Sequence, residues 1–240
     1  MNSNTIAPSI ISRIDYDAIA NTYDLVNRIF SFGFMNSSRN EVANWLSNRG
    51  PIRILDVACG TGNQILSFFS EKLNIISVNG IDLSEPMLKR AKKKISRANL
   101  NGSVFLEEGD ACDLRFKDDF FDAVTISYGL RDIVNVTTFF NEAHRVLKTD
   151  CPILILDLRN PVYCRFKYLY SWYLRYILST TGGLISGFPD TYKTIFKNIS
   201  AQHETDTICK LLKNSRFHKV NAYNRSIGSE FLISGKKRTT

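Results

Sequence analysis

The chain has 240 residues, of which 44% are hydrophobic and 22% are charged, and its formal net charge is +8. These values allow one sizeable hydrophobic core and do not require a second domain. The positive charge permits association with anionic surfaces, either nucleic acid or lipid.

The cysteines and the first residues indicate the cellular compartment. The five cysteines are odd in number and scattered, without a CxxC pair, which predicts reduced thiols in a cytosolic setting. The opening MNSNTIAPSIISRI has neither a basic start followed by an apolar core nor an arginine-rich amphipathic pattern. The sequence therefore predicts no export signal and a cytoplasmic protein.

Residues 52–63, IRILDVACGTGN, combine a short apolar strand with a glycine-rich turn. The apolar run is typical of a central parallel strand that is buried on both faces. Gly60 and Gly62 allow backbone angles that are closed to other residues, so the main chain can approach a ligand. Ile65 stands where a dinucleotide fingerprint has its third glycine. Asp56 would repel a pyrophosphate, but it suits a cationic, phosphate-free ligand such as S-adenosylmethionine.

Further carboxylates follow the next two predicted strands. Asp82 ends the apolar run 75–81, which is the position of a ribose-binding carboxylate. Asp110 and Ala111 follow the strand at 104–106, where the carboxylate is placed to accept from an adenine amino group. A single aspartate of this kind is most often a turn former or a helix cap. Three of them in order, with the glycine turn, predict contacts to methionine, ribose and adenine.

The rest of the chain alternates between predicted helices and strands. Helices are expected at 64–71, behind the Ser84 cap with Pro86, at 136–147 and at 205–214, and strands at 121–127, 153–158, 219–223 and 230–234. This alternation predicts an α/β fold with a doubly wound, mostly parallel sheet and a closing C-terminal hairpin. Ligands bind outside the carboxyl ends of such strands, where the three carboxylates lie.

Longer segments of the chain indicate a protein family more specifically than these helices and strands do. They are the glycine turn with Asp82, TISYGLRDI at 125–133, YDAIANTYDLVNRIFSFG at 16–33, and the stretch from HRVLK to DTYKTIFKNISAQHETDTICKLL at 190–212. Together they resemble the C-methyltransferases of menaquinone and ubiquinone biosynthesis. The resemblance implies a Rossmann-like class I methyltransferase fold with added lid helices. It also implies methyl transfer from S-adenosylmethionine to a ring carbon of a polyprenylated quinol.

The resemblance also implies which residues contact the cofactor. Carried onto this sequence, the family's contacts fall on Thr61, Asp82, the pair Asp110 and Ala111, and Ser127. Asp56, Gly60 and Gly62 join them on the physical argument. The chain departs from the family at Asn63, where an acidic residue is usual, and at Asp132, where asparagine is common. These departures bear on cofactor affinity and on substrate choice.

Methylation of a ring carbon requires removal of a phenolic proton as the carbon attacks the methyl group. Arg131 stays charged, so it suits stabilisation of the phenolate, or orientation of a water that takes the proton, better than the role of base. A salt bridge that holds the loop is its equally weighted alternative. Asp132, Tyr128 and Tyr192 are further candidates, and His203 is the one histidine expected to face the pocket. No cluster has metal-ligand spacing, so a metal is not expected.

Residues 162–178, VYCRFKYLYSWYLRYIL, place aromatic, aliphatic and basic side chains at helical spacing. Three cations make a spanning helix a poor prediction, whereas this mixture suits a membrane interface. The alternative is a lid helix over the cofactor domain, and both can hold. An N-terminal helix is expected to cover the pocket from the other side, or to pack in the core, with Tyr16, Tyr23, Leu25, Ile29 and Phe32. We therefore expect one methyltransferase domain with an N-terminal helical cap at 1–48 and a helical lid insertion at 160–200.

Two other functions compete with the quinol enzyme. One is a methyltransferase of the same fold that acts on another small molecule or on RNA, and the other is a non-catalytic scaffold. The sequence contains no arginine-rich tail or appended RNA-binding module, so nucleic acid is not an expected partner. The expected partners are a polyprenylated quinol and the inner face of the membrane, through peripheral contact. The sequence is compatible with a homodimer, and with either a naphthoquinol or a benzoquinol head group.

Overall fold

A mostly parallel sheet forms the centre of the protein. The computed structural model describes residues 15–31, 33–159, 172, 176, 179–201, 204–225 and 229–238. Its strands are β1 (Ile52–Val57), β2 (Ile75–Asp82), β3 (Val104–Glu108), β4 (Ala123–Ser127), β5 (Pro152–Leu158), β6 (Phe217–Arg225) and β7 (Glu230–Lys237). They form one sheet in the order β3-β2-β1-β4-β5-β7-β6. Strands β1 to β5 pair in parallel, and β7 is antiparallel to both of its neighbours. The predicted α/β fold with a closing hairpin is confirmed.

Helices surround the sheet, and local capping residues explain where several of them begin. They are α1 (Tyr16–Ile19), α2 (Tyr23–Phe30), α3 (Phe34–Asn44), α4 (Asn63–Ser70), α5 (Glu85–Arg97), α6 (Val136–Val146), α7 (Ser179–Ser186), α8 (Pro189–Ala201) and α9 (Thr205–Asn214), with a 3-10 turn at Leu130–Asp132. The Ser84 hydroxyl accepts from the N–H of Met87 at 3.3 Å and caps α5, as predicted. Asn135 caps α6 in the same way, through the N–H of Thr138 at 3.0 Å.

The main difference from the predicted elements is the start of β4. The sequence predicts a strand from Phe121, whereas the strand begins at Ala123. Phe121 makes only an isolated bridge to Leu147, and the side chain of Asp122 accepts from the N–H of Arg53 at 2.8 Å. Phe121 and Asp122 therefore contact neighbouring segments without being part of β4, and regular pairing with β1 begins at Ala123.

Apolar side chains alternate between the two faces of the sheet. Leu55 and Val57 of β1 belong to a cluster with residues of α6 and α9, whereas Ile52 and Ile54 belong to a cluster with residues of α3, α4 and α5. Burial on both faces explains why β1 reads as a nearly continuous apolar run. The sheet therefore holds its strand ends rigidly between two layers of helices.

A third apolar cluster joins the N-terminal helices to α8. It contains Ile19, Ala20, Val26, Met87, Tyr192, Ile195 and Ile199. Tyr192 is thus a packing residue that lies outside the cavity wall described below. The predicted lid helix at 162–178 lies almost entirely outside the described residues, as does His203. The division into cap and lid stays a prediction.

Two predictions from composition can be compared with the structure. Cys59, Cys112, Cys151 and Cys209 are free thiols, and Cys164 lies outside the described residues. Within the described ranges, no helix has the length and apolar character needed to cross a bilayer.

Candidate cofactor and active site

A cavity lies at the carboxyl ends of the central strands. The strand order reverses between β1 and β4, and ligands of open α/β sheets bind at such a switch point. The turns after β1, β2, β3 and β4 form one wall, and Tyr16, Tyr23 and Arg39 of α1, α2 and α3 also line it. Tyr16 and Tyr23 of the predicted N-terminal cover therefore lie in the cavity wall, whereas Leu25 and Ile29 are exposed and Phe32 lies outside the described residues.

The glycine turn after β1 has the left-handed backbone that its sequence predicts. The φ angles are +54° at Gly60 and +79° at Gly62, a region that favours glycine. Gly60 lines the cavity, whereas Gly62 does not. Gly62 is the N-cap residue before α4, and a Cβ added there would lie 3.2 Å from that of Ala91. Gly62 thus shapes the turn and allows close helix packing, and its contact with the cofactor stays a prediction.

Asp56 lines the cavity and, in the part of the chain that the structure describes, has one carboxylate oxygen without a hydrogen-bond partner. Its Oδ1 accepts from the hydroxyl of Thr125 at 2.6 Å, while Oδ2 is buried without a hydrogen-bond partner among the described residues. Burial raises the pKa of Asp56 to about 7. A buried carboxylate oxygen without a donor is costly, and an ammonium group of a bound ligand would satisfy it. The residue thus fits the methionine end of S-adenosylmethionine.

The other predicted strand-end residues line the same cavity. Asp82 accepts from the N–H of Gly60 at 2.7 Å and from the N–H of Ser84 at 2.9 Å, and burial raises its pKa. Asp110 accepts from the N–H of Cys112 at 2.8 Å. The structure also places Thr61, Ala111 and Ser127 in the cavity wall. Except for Gly62, the predicted cofactor set is therefore brought together.

Asp24 of α2 holds the N-terminal helices onto the glycine turn. Its Oδ1 accepts from Thr61 Oγ1 at 2.6 Å and from Asn63 Nδ2 at 2.9 Å, and its Oδ2 pairs with Lys94 Nζ at 2.6 Å. Lys94 also donates to Asn63 Oδ1 at 2.7 Å. An amide at position 63 donates and accepts in this cluster, which an ionised acidic side chain cannot do. Asn63 replaces the acidic residue that is usual in the family, and its amide can bond to both Asp24 and Lys94.

Arg131 is buried behind the cavity and does not line it. Its guanidinium pairs with Asp157, which also accepts from the N–H of Leu130 at 3.0 Å. Burial opposes the charge, but the neighbouring Asp157 and Asp132 more than offset it and raise the pKa of Arg131. This placement favours the salt-bridge alternative for Arg131 over direct contact with a phenolate.

Asp132, one of the predicted catalytic residues, lines the cavity and also has an unpaired side-chain oxygen in the described part of the chain. Its Oδ2 accepts from Tyr16 Oη at 2.6 Å, and its buried Oδ1 has no partner among the described residues. Burial, and then the charge of Asp132, raise the pKa of Tyr16 well above its usual value, so Tyr16 stays a donor. Tyr128 also lines the cavity, but its hydroxyl donates to Glu230 at 2.9 Å, outside the cavity wall.

The sequence interpretation missed several cavity residues, among them two with long polar side chains. Arg39 lies in α3 and Gln64 at the start of α4. Gln64 Oε1 accepts from Ser127 Oγ at 2.7 Å, and its Nε2 donates to the Arg39 carbonyl at 3.2 Å. Nothing local in the sequence marks either residue, because both reach the cavity through packing between distant elements.

Comparison with known proteins adds to this geometry. The chain matches the ubiE/COQ5 methyltransferase family over residues 10–237. It is 31% identical to the ubiquinone/menaquinone biosynthesis C-methyltransferase UbiE of Geotalea daltonii, over 92% of this chain and 94% of that protein. It is 30% identical to the demethylmenaquinone methyltransferase of Porphyromonas gingivalis, over 90% of this chain and 87% of that protein. Phosphoethanolamine N-methyltransferase 2 of Haemonchus contortus, solved with S-adenosyl-L-methionine, has a similar fold, with a TM-score of 0.64 and 15% identity over 96% of this chain and 61% of that chain.

Proposed function

Because the chain belongs to the ubiE/COQ5 methyltransferase family, we propose that it methylates a ring carbon of a polyprenylated quinol. The chain is an S-adenosylmethionine-dependent methyltransferase, as its resemblance to the family implied. We infer the substrate class from the names of its relatives, which are enzymes of quinone biosynthesis. Both of these names contain menaquinone and only one contains ubiquinone, so we take demethylmenaquinol as the substrate.

The proposed cofactor site uses the carboxylates at the strand ends. Asp56 binds the ammonium group, Asp82 the ribose hydroxyls, and Asp110 with Ala111 the adenine. Support comes from their common position in the cavity wall and from the unpaired Oδ2 of Asp56. Gly60, Thr61 and Ser127 complete the wall around them. When bound, S-adenosylmethionine supplies an electrophilic methyl group.

Asp132 is the proposed residue that orients the ring hydroxyl. Its unpaired Oδ1 accepts a hydrogen bond from this hydroxyl, as the amide oxygen of an asparagine also could, and a water takes the proton, which raises the electron density of the ring. Tyr16 holds the other oxygen through its 2.6 Å hydrogen bond. The buried pair of Arg131 and Asp157 positions the 3-10 turn that carries Asp132. In this proposal Arg131 is a positioning residue, and Tyr128 contributes to the wall without donating to the substrate.

Peripheral contact with the membrane is the second part of the proposal, because a polyprenyl chain resides in lipid. Leu25 and Ile29 of α2 and Leu184 of α7 are exposed apolar side chains. Arg28 is exposed beside the first two. Apolar and basic residues together suit the surface of an anionic bilayer.

The test is methyl transfer from labelled S-adenosylmethionine to reduced demethylmenaquinone and, separately, to a reduced methoxy-polyprenyl-benzoquinone. We expect a mass increase of one methyl group in the naphthoquinol. Asp132→Ala should remove most of this product, whereas Asp118→Ala, at an exposed ion pair on the surface, should not. Product from the benzoquinol alone would contradict the head group. No product from either, with cofactor binding intact, would contradict the substrate class.

A further inference from the structure

Tyr128 forms a corner in the backbone between β4 and the 3-10 turn that carries Asp132. Its φ angle is +65°, in the left-handed region that a bulky side chain rarely adopts. Such a conformation persists only where the surrounding structure holds it in place. The contacts around Tyr128 therefore determine the direction of the chain that leads to Asp132.

Backbone packing fixes one side of this corner. The N–H of Tyr128 donates to the carbonyl of Leu156 at 2.7 Å. The next residue, Gly129, lies directly against the turn after β1, because a Cβ added there would lie 2.6 Å from the Cβ of Ala58. The chain thus leaves β4 in close contact with the glycine turn, and a displacement of the corner would carry the 3-10 turn with it.

Buried hydrogen bonds hold the side chain of Tyr128. Its hydroxyl donates to Oε1 of Glu230 at 2.9 Å, and the hydroxyl of Ser38 donates to Oε2 at 2.6 Å. All three side chains are buried. Burial, and then the charge of Glu230, raise the pKa of Tyr128 well above its usual value, so its hydroxyl stays a donor. Each carboxylate oxygen of Glu230 therefore has a hydroxyl donor, and a buried network whose bonds are made is rigid.

Glu230 lies next to the other residue that holds the 3-10 turn. Strands β5 and β7 pair so that Glu230 is opposite Leu158, the residue after Asp157. Asp157 accepts from the N–H of Leu130, the first residue of the 3-10 turn, at 3.0 Å. Two buried carboxylates of neighbouring strands thus fix this segment, one at the corner and one at the start of the turn.

We propose that Glu230 is a positioning residue for methyl transfer, because its bond to Tyr128 fixes the corner that directs Asp132 into the cavity. The inference rests on the proposed function, in which Asp132 orients the ring hydroxyl of the quinol. Glu230 does not line the cavity. It therefore acts on the reaction through Tyr128 and not by contact with a ligand.

The first test compares Tyr128→Phe with Ser38→Ala, because each variant removes one hydroxyl donor from Glu230. Only Tyr128→Phe releases the corner, and it keeps the aromatic ring in the cavity wall. Mass spectrometry measures the exchange of amide hydrogens for deuterium in residues 128–133. Exchange should be about 10-fold faster in Tyr128→Phe than in the wild type, near the upper limit for one hydrogen bond. In Ser38→Ala it should stay within about twofold of the wild-type rate.

The same two variants should differ in catalysis. In Tyr128→Phe, kcat for methyl transfer should fall by about 10-fold, while the affinity for S-adenosylhomocysteine stays within about twofold of the wild type. Ser38→Ala should keep both values within about twofold, although urea unfolding should show a loss of stability in both variants. A difference in kcat at similar stability is what a positioning role predicts.

Substitutions at Glu230 separate positioning from stability. Glu230→Gln should keep most of the activity, because its amide oxygen can still accept from the Tyr128 hydroxyl. The double variant of Tyr128→Phe and Glu230→Leu places two apolar side chains in the same space, so it should recover much of the stability that Tyr128→Phe loses. Its kcat should nevertheless stay about 10-fold below that of the wild type, since no hydrogen bond directs the corner.

Two results would overturn the inference. One is exchange in Tyr128→Phe that is unchanged, or that rises equally in Ser38→Ala. The other is a wild-type kcat in the double variant, which would make the network a contribution to stability alone. Should Tyr128→Phe fail to fold, exchange and kcat in the double variant decide in its place. The exchange measurement needs no quinol, so a wild type that methylates neither quinol would contradict the proposed function, while the exchange rates still test the role of Glu230.

Discussion

Asp56→Asn tests whether the buried carboxylate beside the glycine turn binds the ammonium group of the cofactor. Burial raises the pKa of Asp56 from 3.8 to about 7. At about 1.4 kcal/mol per pH unit, this difference of roughly 3 units corresponds to about 4 kcal/mol. The folded protein therefore binds the Asp56 proton more tightly than the unfolded chain does.

The sign of the stability effect follows from this difference. The contribution of protonated Asp56 to the free energy of unfolding is fully present below pH 3.8, the pKa in the unfolded chain. It is lost as the pH rises through about 7, the pKa in the folded protein. Unfolding by urea should show that Asp56→Asn stabilises the ligand-free protein relative to the wild type at pH 8 more than at pH 5, by about 3 kcal/mol, because only the interval from pH 5 to about 7 contributes.

Ligand binding should show the complementary effect. An ammonium group binds the ionised carboxylate, so the affinity for S-adenosylhomocysteine should fall about tenfold per pH unit below the pKa of Asp56. Asp56→Asn should bind more weakly at pH 8 and lose this pH dependence. Calorimetry in two buffers of different ionisation enthalpy measures the proton that the wild type releases on binding at pH 6. An equal pH dependence in both proteins, or no released proton, would refute the assignment.

Three further variants test the remaining parts of the site. Asp82→Ala should weaken S-adenosylhomocysteine binding by about 1–3 kcal/mol in calorimetry, because charged hydrogen bonds are lost; an unchanged affinity would remove Asp82 from the ribose site. Asp132→Ala should lower kcat by about 10- to 100-fold at near-normal cofactor affinity, because the acceptor for the ring hydroxyl is lost, whereas Asp132→Asn should retain part of the activity; equal losses of kcat and of cofactor affinity in Asp132→Ala would indicate a structural role. Arg131→Leu should destabilise the protein by about 3–5 kcal/mol in urea unfolding, since Asp157 is left buried and unpaired. The double variant with Asp157→Leu should recover much of that stability, and a single variant as stable as the wild type would contradict the positioning role.

Local features of the sequence determined much of the fold. The helix predicted at 205–214 has those bounds as α9, and Ser84 caps α5 as its position indicated. These elements depend on capping and on the spacing of apolar residues, which act over a few positions. The common location of Asp56, Asp82 and Asp110 was also predictable, because parallel strands end at the same edge of a sheet.

The tertiary structure alone decided which of the motif residues face the cavity. Arg131 and Asp132 are adjacent in the chain, yet Asp132 lines the cavity while Arg131 turns to Asp157 on β5. Tyr128 likewise directs its hydroxyl to Glu230 on β7, and Arg39 reaches the cavity from α3. Each outcome depends on a partner that is distant in sequence and adjacent only after the sheet and helices pack. The sequence by itself determined the strand ends and the class of ligand, whereas long-range packing determined the direction of each side chain.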